Sequence, residues 1–312
     1  MPEHIVLTGG TGFFGRRIAE ALRQHGYEVS TPGRPEFDLM DPASTRRTLE
    51  RLRPETVVHS AAYYGGLGIC MAEPDEIFHR NVVMGVNLLD AATRAGVHKI
   101  MAIGSACSYP GEVVGDMRED DLWSGRLHPS VEAYGFTKKV LEVGLRAFAR
   151  GCGIVAQMPV ITNLYGEYDV FGEYRSHVAA ALIKKFADAV QSDADRVVCW
   201  GTGVPVREFI YSGDAAEAVA RLLASGYNEP LNIGTGIGTS IRELAELIAK
   251  HTGFRGEIVW DTSKPDGVLR KVLDVSRMRS ILGWMPPTSL EDGLAKTISW
   301  YLANKAEADA RP

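Results

Sequence analysis

The stretch His4-Ile5-Val6-Leu7-Thr8-Gly9-Gly10-Thr11-Gly12-Phe13-Phe14-Gly15 decides the fold of this 312-residue chain. His4 to Thr8 reads as a short buried strand, Gly9 to Gly15 as a glycine-rich turn, and Arg16 to Gln24 as a helix that stops near Gly26. Strand, turn and helix in that order form a dinucleotide site. Gly9 permits the tight turn, Gly12 lets the backbone approach a pyrophosphate, and Gly15 allows helix and sheet to pack closely. The helix N-terminus then points its unpaired N–H groups at the phosphates. Gly9, Thr11, Gly12, Phe13, Phe14 and Gly15 are the first candidate cofactor-binding residues.

Further along, Tyr27 to Thr31 and Thr56 to Ser60 read as strands separated by a helix from Ser44 to Leu52. A long helix over Asp75 to Ala95 stops at Gly96, and Lys99 to Ile103 and Val155 to Pro159 are the next strands. The alternation predicts an α/β fold, a Rossmann-type doubly wound parallel sheet with helices on both faces. Beyond Tyr165-Gly166 it loosens. Tyr168 to Ser176 is a polar and aromatic loop, His177 to Val190 an amphipathic helix, Arg196 to Trp200 a strand, Asp214 to Ala224 a helix and Leu231 to Ile233 a strand. Ser240-Ile241-Arg242-Glu243 is a capping box opening a helix to Lys250, and Ser289 to Asn304 is a closing helix with Trp300 and Tyr301 turned inward. The expected organisation is a cofactor domain over residues 1–164, returning near 205–232, and a smaller, discontinuous C-terminal substrate domain from 165–204 and 233–312.

With 45% hydrophobic residues the chain can bury a large core. A net charge of −5 and the lack of a basic tract argue against a nucleic-acid partner, whose phosphates need clustered Lys and Arg. No apolar run is long enough to span a bilayer, and Met1-Pro2-Glu3-His4 lacks the charged lead and apolar core of a signal peptide. Cys70, Cys107, Cys152 and Cys199 are widely spaced, without the C-x-x-C pair of a metal or redox centre. They predict a reducing, cytoplasmic setting, no metal, and thiols that are mostly buried as small hydrophobes.

An NAD-specific site places a carboxylate at the end of the second strand, on the ribose 2′-hydroxyl. Here that region reads Ser30-Thr31-Pro32-Gly33-Arg34, which predicts NADP(H), with Arg34, and Arg16 or Arg17 beside it, on the 2′-phosphate. Asp38 and Leu39 lie where an adenine-binding loop is expected, and Ala61 and Ala62 follow the third strand where backbone passes the cofactor.

Tyr134-Gly135-Phe136-Thr137-Lys138 follows a long polar loop, Pro110 to Pro129, and Ser130, a candidate helix cap. Four residues apart on a helix, the phenol and the ammonium share one face. A neighbouring cation lowers a phenol's pKa, which makes Tyr134 a candidate proton donor and acceptor. Taken alone, the pair also fits any surface helix.

In order, Gly9-x-x-Gly12-x-x-Gly15, Ser105 after the fourth strand and Tyr134-x-x-x-Lys138 resemble the extended short-chain dehydrogenases/reductases over almost the whole chain. Within them, Gly104-Ser105-Ala106-Cys107-Ser108-Tyr109-Pro110, Thr162-Asn163-Leu164-Tyr165-Gly166, Ser176-His177-Val178, Trp200-Gly201-Thr202-Gly203 with Arg207-Glu208-Phe209, and Lys264-Pro265-Asp266-Gly267 with Arg270-Lys271 look like the GDP-L-fucose synthases. The resemblance implies epimerisation of GDP-4-keto-6-deoxy-mannose at C3 and C5, then reduction of C4 with NADPH. It implies Ser105, Tyr134 and Lys138 for the reduction, with Lys138 also on the nicotinamide ribose, and Cys107 and His177 as the epimerising acid/base pair. Tyr134, Lys138 and His177 are also expected to border the cofactor. Implied substrate residues are Asn163, Lys185, Trp200, Arg207 and Arg270, and the family assembles as a homodimer through a helix bundle. Tyr63-Tyr64 stand where smaller or basic residues are expected, and Glu167 to Phe171 lack the usual proline and asparagine. Both departures fall where the sugar sits, which leaves open an epimerase or reductase for another nucleotide sugar, such as a GDP-heptose. A catalytically silent NADP-binding regulator is the remaining alternative, disfavoured because Ser105, Tyr134 and Lys138 are all present.

Overall fold

The computed structural model describes residues 2–311 apart from 173 and 265, so Met1 and Pro265 of the motifs above lie outside the described residues. Strand β1 (His4–Thr8) has Ile5, Val6 and Leu7 completely buried, the continuous apolar run of a strand covered on both faces. Helix α1 (Phe13–Gln24) starts three residues before Arg16, because Gly12 already adopts the N-cap conformation; it buries Phe14, Ile18 and Leu22. After β2 (Glu28–Ser30), α2 (Pro42–Leu52) begins at an Asp-Pro pair in which the Asp41 carboxylate caps Ala43 N–H at 2.9 Å. Then come β3 (Thr56–His59), α3 (Leu67–Ala72), α4 (Pro74–Arg94), β4 (Lys99–Ala102), β5 (Gly104–Ser105), α5 (Glu132–Cys152) and β6 (Val155–Ile161). Ser130 does not cap α5. It lies in a 3-10 turn over Pro129–Val131 whose own cap is the His128 side chain, and α5 starts from Val131 without a side-chain cap.

The later chain supplies β7 (Asn163–Tyr165), α6 (Val178–Gln191), β8 (Arg196–Trp200), β9 (Val206–Tyr211), α7 (Ser212–Ser225), β10 (Pro230–Ile233), β11 (Gly238–Ser240), α8 (Ile241–Thr252), β12 (Glu257–Asp261), β13 (Arg270–Lys271), α9 (Ser276–Leu282), α10 (Leu290–Ala303) and α11 (Lys305–Asp309). The Ser240–Glu243 capping box is present at α8. Tyr301 is completely buried, whereas Trp300 is only half-buried.

The main sheet has seven strands in the order β10-β6-β4-β3-β1-β2, with β5 beside β6, and its pairings are all parallel. This is the doubly wound α/β architecture expected from the alternation. Because β2 and β3 lie on opposite sides of β1, a crevice opens at the strands' C-terminal ends, beside the Gly9 turn. A second sheet, β11-β9-β13 with β7 on β9, and the pair β12-β8 stand beyond it. They are backed by a separate core that includes Phe171, Ile183, Phe186, Leu244, Ile248, Leu294 and Tyr301. Among the described residues no helix is long and apolar enough to cross a membrane.

Glu208 ties this second sheet together. Its side chain is fully buried, accepting the Thr235 and Gly236 N–H groups on Oε1 at 2.5 and 2.8 Å and the Leu273 N–H on Oε2 at 2.7 Å. Burial raises its pKa, while these backbone donors hold it down. Glu208→Ala would orphan the buried Leu273 N–H and the part-buried Thr235 and Gly236 N–H groups, and should lower stability in urea unfolding by about 2–4 kcal/mol. A loss below about 1 kcal/mol would show that the carboxylate does not hold β9, β13 and the loop after β10 together.

Candidate active site

The cofactor end is made by close backbone approach. Gly9 has φ +69°, and a Cβ there would lie 2.8 Å from the Ala61 backbone; one on Gly10 would lie 2.5 Å from Thr31 Cγ2, and one on Gly15 2.0 Å from the Gly9 carbonyl oxygen. Gly15 therefore serves contact between helix and turn. Gly12, at the N-cap, offers no side-chain cap, and the first turn of α1 carries no acid. The open N–H groups and the absence of side-chain bulk fit a dinucleotide diphosphate. Below the turn, the Thr8 hydroxyl bonds His59 Nδ1 at 2.8 Å and accepts the Ala61 N–H at 3.2 Å. His59 is neutral there, since burial pushes it down to about 3.

The remaining cofactor candidates divide. Thr11, Arg34 and Ala62 are exposed, and Phe13 and Ala61 half-buried, around this crevice. Arg17 is committed elsewhere, to Glu20 at 2.9 Å and Glu167 at 2.7 Å, and Arg16 bonds the Thr11 carbonyl. This removes Arg17 from the 2′-phosphate and leaves Arg34 as the exposed cation at that end. Phe14 and Leu39 are core side chains, so only their backbone is available to a ligand, and the Asp38 carboxylate accepts Met40 N–H within its own loop.

Two further glycine contacts assemble the chemistry. A Cβ on Gly135 would lie 2.2 Å from the Cys107 carbonyl oxygen, so α5 sits directly on the 3-10 turn after β5. That seats Tyr134 beside Cys107 and Ser105, whose hydroxyl accepts the Cys107 N–H at 3.1 Å. On the opposite side, a Cβ on Gly66 would lie 2.1 Å from the Ser176 carbonyl oxygen, and Gly66 N–H donates to Arg175 O at 3.0 Å, which brings in His177 at the start of α6. The ring of Tyr64 lies between, stacked on Tyr134 at 3.6 Å and 5.5 Å from His177, with its hydroxyl 3.6 Å from Cys107 Sγ.

The electrostatics correct one expectation. Lys138 Nζ donates to the Ile103 carbonyl at 2.8 Å, and burial brings it down to about 8. Tyr134 is not lowered by it. Burial raises the phenol, as do the Cys107 and Cys70 charges, with a Ser105 hydrogen bond opposing, so it stays protonated. For Cys107 burial acts upward, but the Lys271 ammonium, 3.2 Å from Sγ, and hydrogen bonds from Tyr64 and Ser105 outweigh it and lower the thiol. For His177 burial acts downward, but Asp169, 3.9 Å from Nδ1, and the Cys107 charge raise it.

Arg207 is half-buried nearby, its guanidinium bonded to Val206 O at 2.9 Å. Asn163 gives its amide to Glu208 O at 2.7 Å. The Trp200-Gly201-Thr202-Gly203 and Lys264-to-Gly267 motifs form one unit, because Asp266 accepts both the Thr202 N–H at 2.7 Å and its hydroxyl at 2.8 Å. Trp200 is 67% exposed with Lys264 over its ring, and Lys185 bonds Val198 O at the rim. Arg270 turns away to pair with exposed Asp116 at 2.5 Å. Its neighbour Lys271, which the sequence reading passed over, points to Cys107. Alternation along β13 was the available signal, since adjacent strand residues face opposite ways. Tyr64 and Asp169 lie in the two stretches that depart from the family pattern, but nothing local signals their contacts with Tyr134 and His177.

A family model described as "NAD dependent epimerase/dehydratase family" matches residues 5–234. The chain is 36% identical to a GDP-L-fucose synthase of Sinorhizobium fredii, over 98% of this chain and 97% of that one. Among solved structures it is similar to a GDP-6-OMe-4-keto-L-xylo-heptose reductase from C. jejuni (TM-score 0.90, 26% identity, 97% of this chain and 98% of that one). It is also similar to a GDP-L-fucose synthetase from Naegleria fowleri bound to NADP (TM-score 0.88, 28% identity, 98% and 96%). The chain belongs to the NAD dependent epimerase/dehydratase family.

Lys271→Met keeps the aliphatic stem and removes the charge. The Cys107 thiol should then titrate higher, read from the pH dependence of alkylation of the Cys107 peptide, with exposed Cys152 as reference. An unchanged profile would show that the ammonium does not set the thiol.

Proposed function

We propose that this chain is an NADPH-dependent epimerase/reductase that converts GDP-4-keto-6-deoxy-mannose to GDP-L-fucose. The observation that carries the reading is that Ser105, Tyr134, Cys107 and His177 meet around the Tyr64 ring, with Lys138 Nζ 5.5 Å from the Tyr134 ring and Lys271 Nζ 3.2 Å from Cys107 Sγ. The 36% identity to a GDP-L-fucose synthase and the likeness to an NADP-bound synthetase support it.

The sugar's 4-keto group acidifies the protons on C3 and C5. Cys107 as thiolate removes a proton from one face and His177 as imidazolium supplies one from the other, the protonation states that Lys271 and Asp169 favour. Epimerisation then has a bell-shaped pH profile, rising as the Cys107 thiolate forms and falling as the His177 imidazolium is lost, and the lowered thiol and raised imidazole bring these two limbs towards each other. When bound, NADPH supplies the hydride that reduces C4. Tyr134, kept protonated by burial, donates its proton to the C4 oxygen, to which Ser105 hydrogen-bonds. Lys138 holds the nicotinamide ribose, and Arg34 the 2′-phosphate. Arg207 faces the substrate diphosphate, Trp200 stacks on the base, and Asn163 and Lys185 border the substrate, with Trp200 and Lys185 supplied by a substrate domain formed by residues 165–204 and 233–312. A cytoplasmic setting is inferred, supported by the four free cysteines and the need to keep Cys107 reduced.

A second reading, action on a GDP-heptose, is favoured by the likeness to the heptose reductase. NADPH absorbance should fall with GDP-4-keto-6-deoxy-mannose. Tyr134→Phe should keep cofactor binding and lose reduction by about 100-fold or more, while Cys107→Ser and His177→Asn should block solvent deuterium entry at C3 and C5. Turnover confined to a heptose would move the assignment to the second reading, and no turnover of any 4-keto sugar would defeat both.

The homodimer is proposed through α4 and α5, which pack side by side and leave Phe78, Val86, Phe136 and Val143 exposed. Two such pairs make a four-helix bundle across a twofold axis. Val143→Glu should convert a dimer to a monomer in light scattering; a wild-type monomer, or a dimer unaffected by the change, would contradict this interface.

A further inference from the structure

We propose that Tyr64 is the specificity-determining residue of the sugar pocket: its ring fills the space onto which Tyr134 and Cys107 face, and a sugar reaches them by displacing it. The inference rests on the reading of that pocket as a nucleotide-sugar site. The phenol stacks on the Tyr134 ring at 3.6 Å and 12°, reaches Cys107 Sγ at 3.6 Å and stands 5.5 Å from the His177 ring. It thus touches the proposed reducing group and the epimerising thiol and lies against the imidazole, and a sugar held by all three needs the same volume.

The main chain around it is fixed while the side chain is lightly held. Tyr63 N–H and carbonyl are both bonded to the Asn81 amide, at 2.9 and 2.8 Å, Arg175 donates to the Tyr64 carbonyl at 2.9 Å, and Gly66 bonds Arg175 O. The Tyr63 hydroxyl is anchored to Glu73 at 2.6 Å, with Arg80 and Arg175 against its ring. Among the described residues the Tyr64 hydroxyl meets thiol sulfurs, which are weak partners, and no carboxylate like the one that anchors Tyr63. A rotation about its side-chain bonds frees the pocket without moving the backbone. The stack favours the closed position by about twofold to tenfold, and burial of the ring adds to this. Sugars then differ by how well their own contacts replace the ring, which makes this position a filter on sugar size.

The test compares wild type, Tyr64→Phe and Tyr64→Val by iodoacetamide alkylation of Cys107 without substrate, followed across pH to the plateau rate of the thiolate so that loss of the Tyr64 hydrogen bond to Sγ does not enter, with exposed Cys152 and buried Cys199 as references. Tyr64→Val should speed modification of Cys107 about tenfold or more, and Tyr64→Phe should stay near wild type, because the ring rather than the hydroxyl seals the thiol. Equal rates in wild type and Tyr64→Val, or equal acceleration in both variants, would overturn the proposal. A rise at Cys199 would report unfolding, in which case Tyr64→Leu replaces Tyr64→Val. In turnover, Tyr64→Val should raise the heptose to 6-deoxy ratio of kcat/KM by about tenfold, and an unchanged ratio would refute the filter. Wild type inert toward both sugars would defeat the functional reading and leave the alkylation result to judge the plug alone.

Discussion

The site depends on how closely Gly135 lies to Cys107: a Cβ at residue 135 would sit 2.2 Å from the Cys107 carbonyl oxygen. Only this approach lets the first turn of α5 rest on the turn that ends β5, and so puts Tyr134 within reach of Ser105 and the thiol. Gly66 against Ser176 does the same for the later chain, carrying His177 to the other side of the pocket. Both positions need the absence of a side chain rather than unusual backbone angles, since neither has a positive φ. The parallel sheet fixes where β5 ends, and the glycines fix what can be laid against that end.

Charge then differentiates the groups that packing has brought together. Burial acts on Tyr134 and Cys107 and, less completely, on half-buried His177, and their different neighbours decide the outcome. Lys271 overcomes it at the thiol, Asp169 overcomes it at the imidazole, and nothing overcomes it at the phenol. A phenol held protonated, a thiol biased towards thiolate and an imidazole biased towards imidazolium are the set that the proposed proton removal, proton delivery and alkoxide protonation require. Glu208 supports this from a distance, because its bond to Leu273 N–H holds the segment that follows Lys271.

Local pattern carried much of this. The β1–turn–α1 unit, the parallel alternation, and Ser105, Tyr134, Cys107 and His177 were all legible, because strand periodicity, glycine spacing and short motifs are written within a few residues of one another. What was missed depends on partners far along the chain. Strand β9 holds Arg207 and Glu208 at its centre, which hides a strand until the donors at residues 235, 236 and 273 are seen to satisfy the carboxylate. Lys138 looked like a partner for Tyr134, yet its ammonium is taken by Ile103 on the fourth strand's exit. Arg270 and Lys271 are adjacent in sequence and point to different places, one to Asp116 and the other to Cys107. The tyrosine pair at 63 and 64 stood out as a departure, but only the fold separates the anchored ring from the one in the pocket.

The most direct measurement runs the reaction in D2O with unlabelled NADPH and GDP-4-keto-6-deoxy-mannose, and reads the product by NMR. The account predicts deuterium with inverted configuration at C3 and C5, protium delivered to C4, and one NADPH consumed per product. A product reduced at C4 but still carrying protium at C3 and C5 would contradict it, because Cys107 and His177 would then have no part in the chemistry.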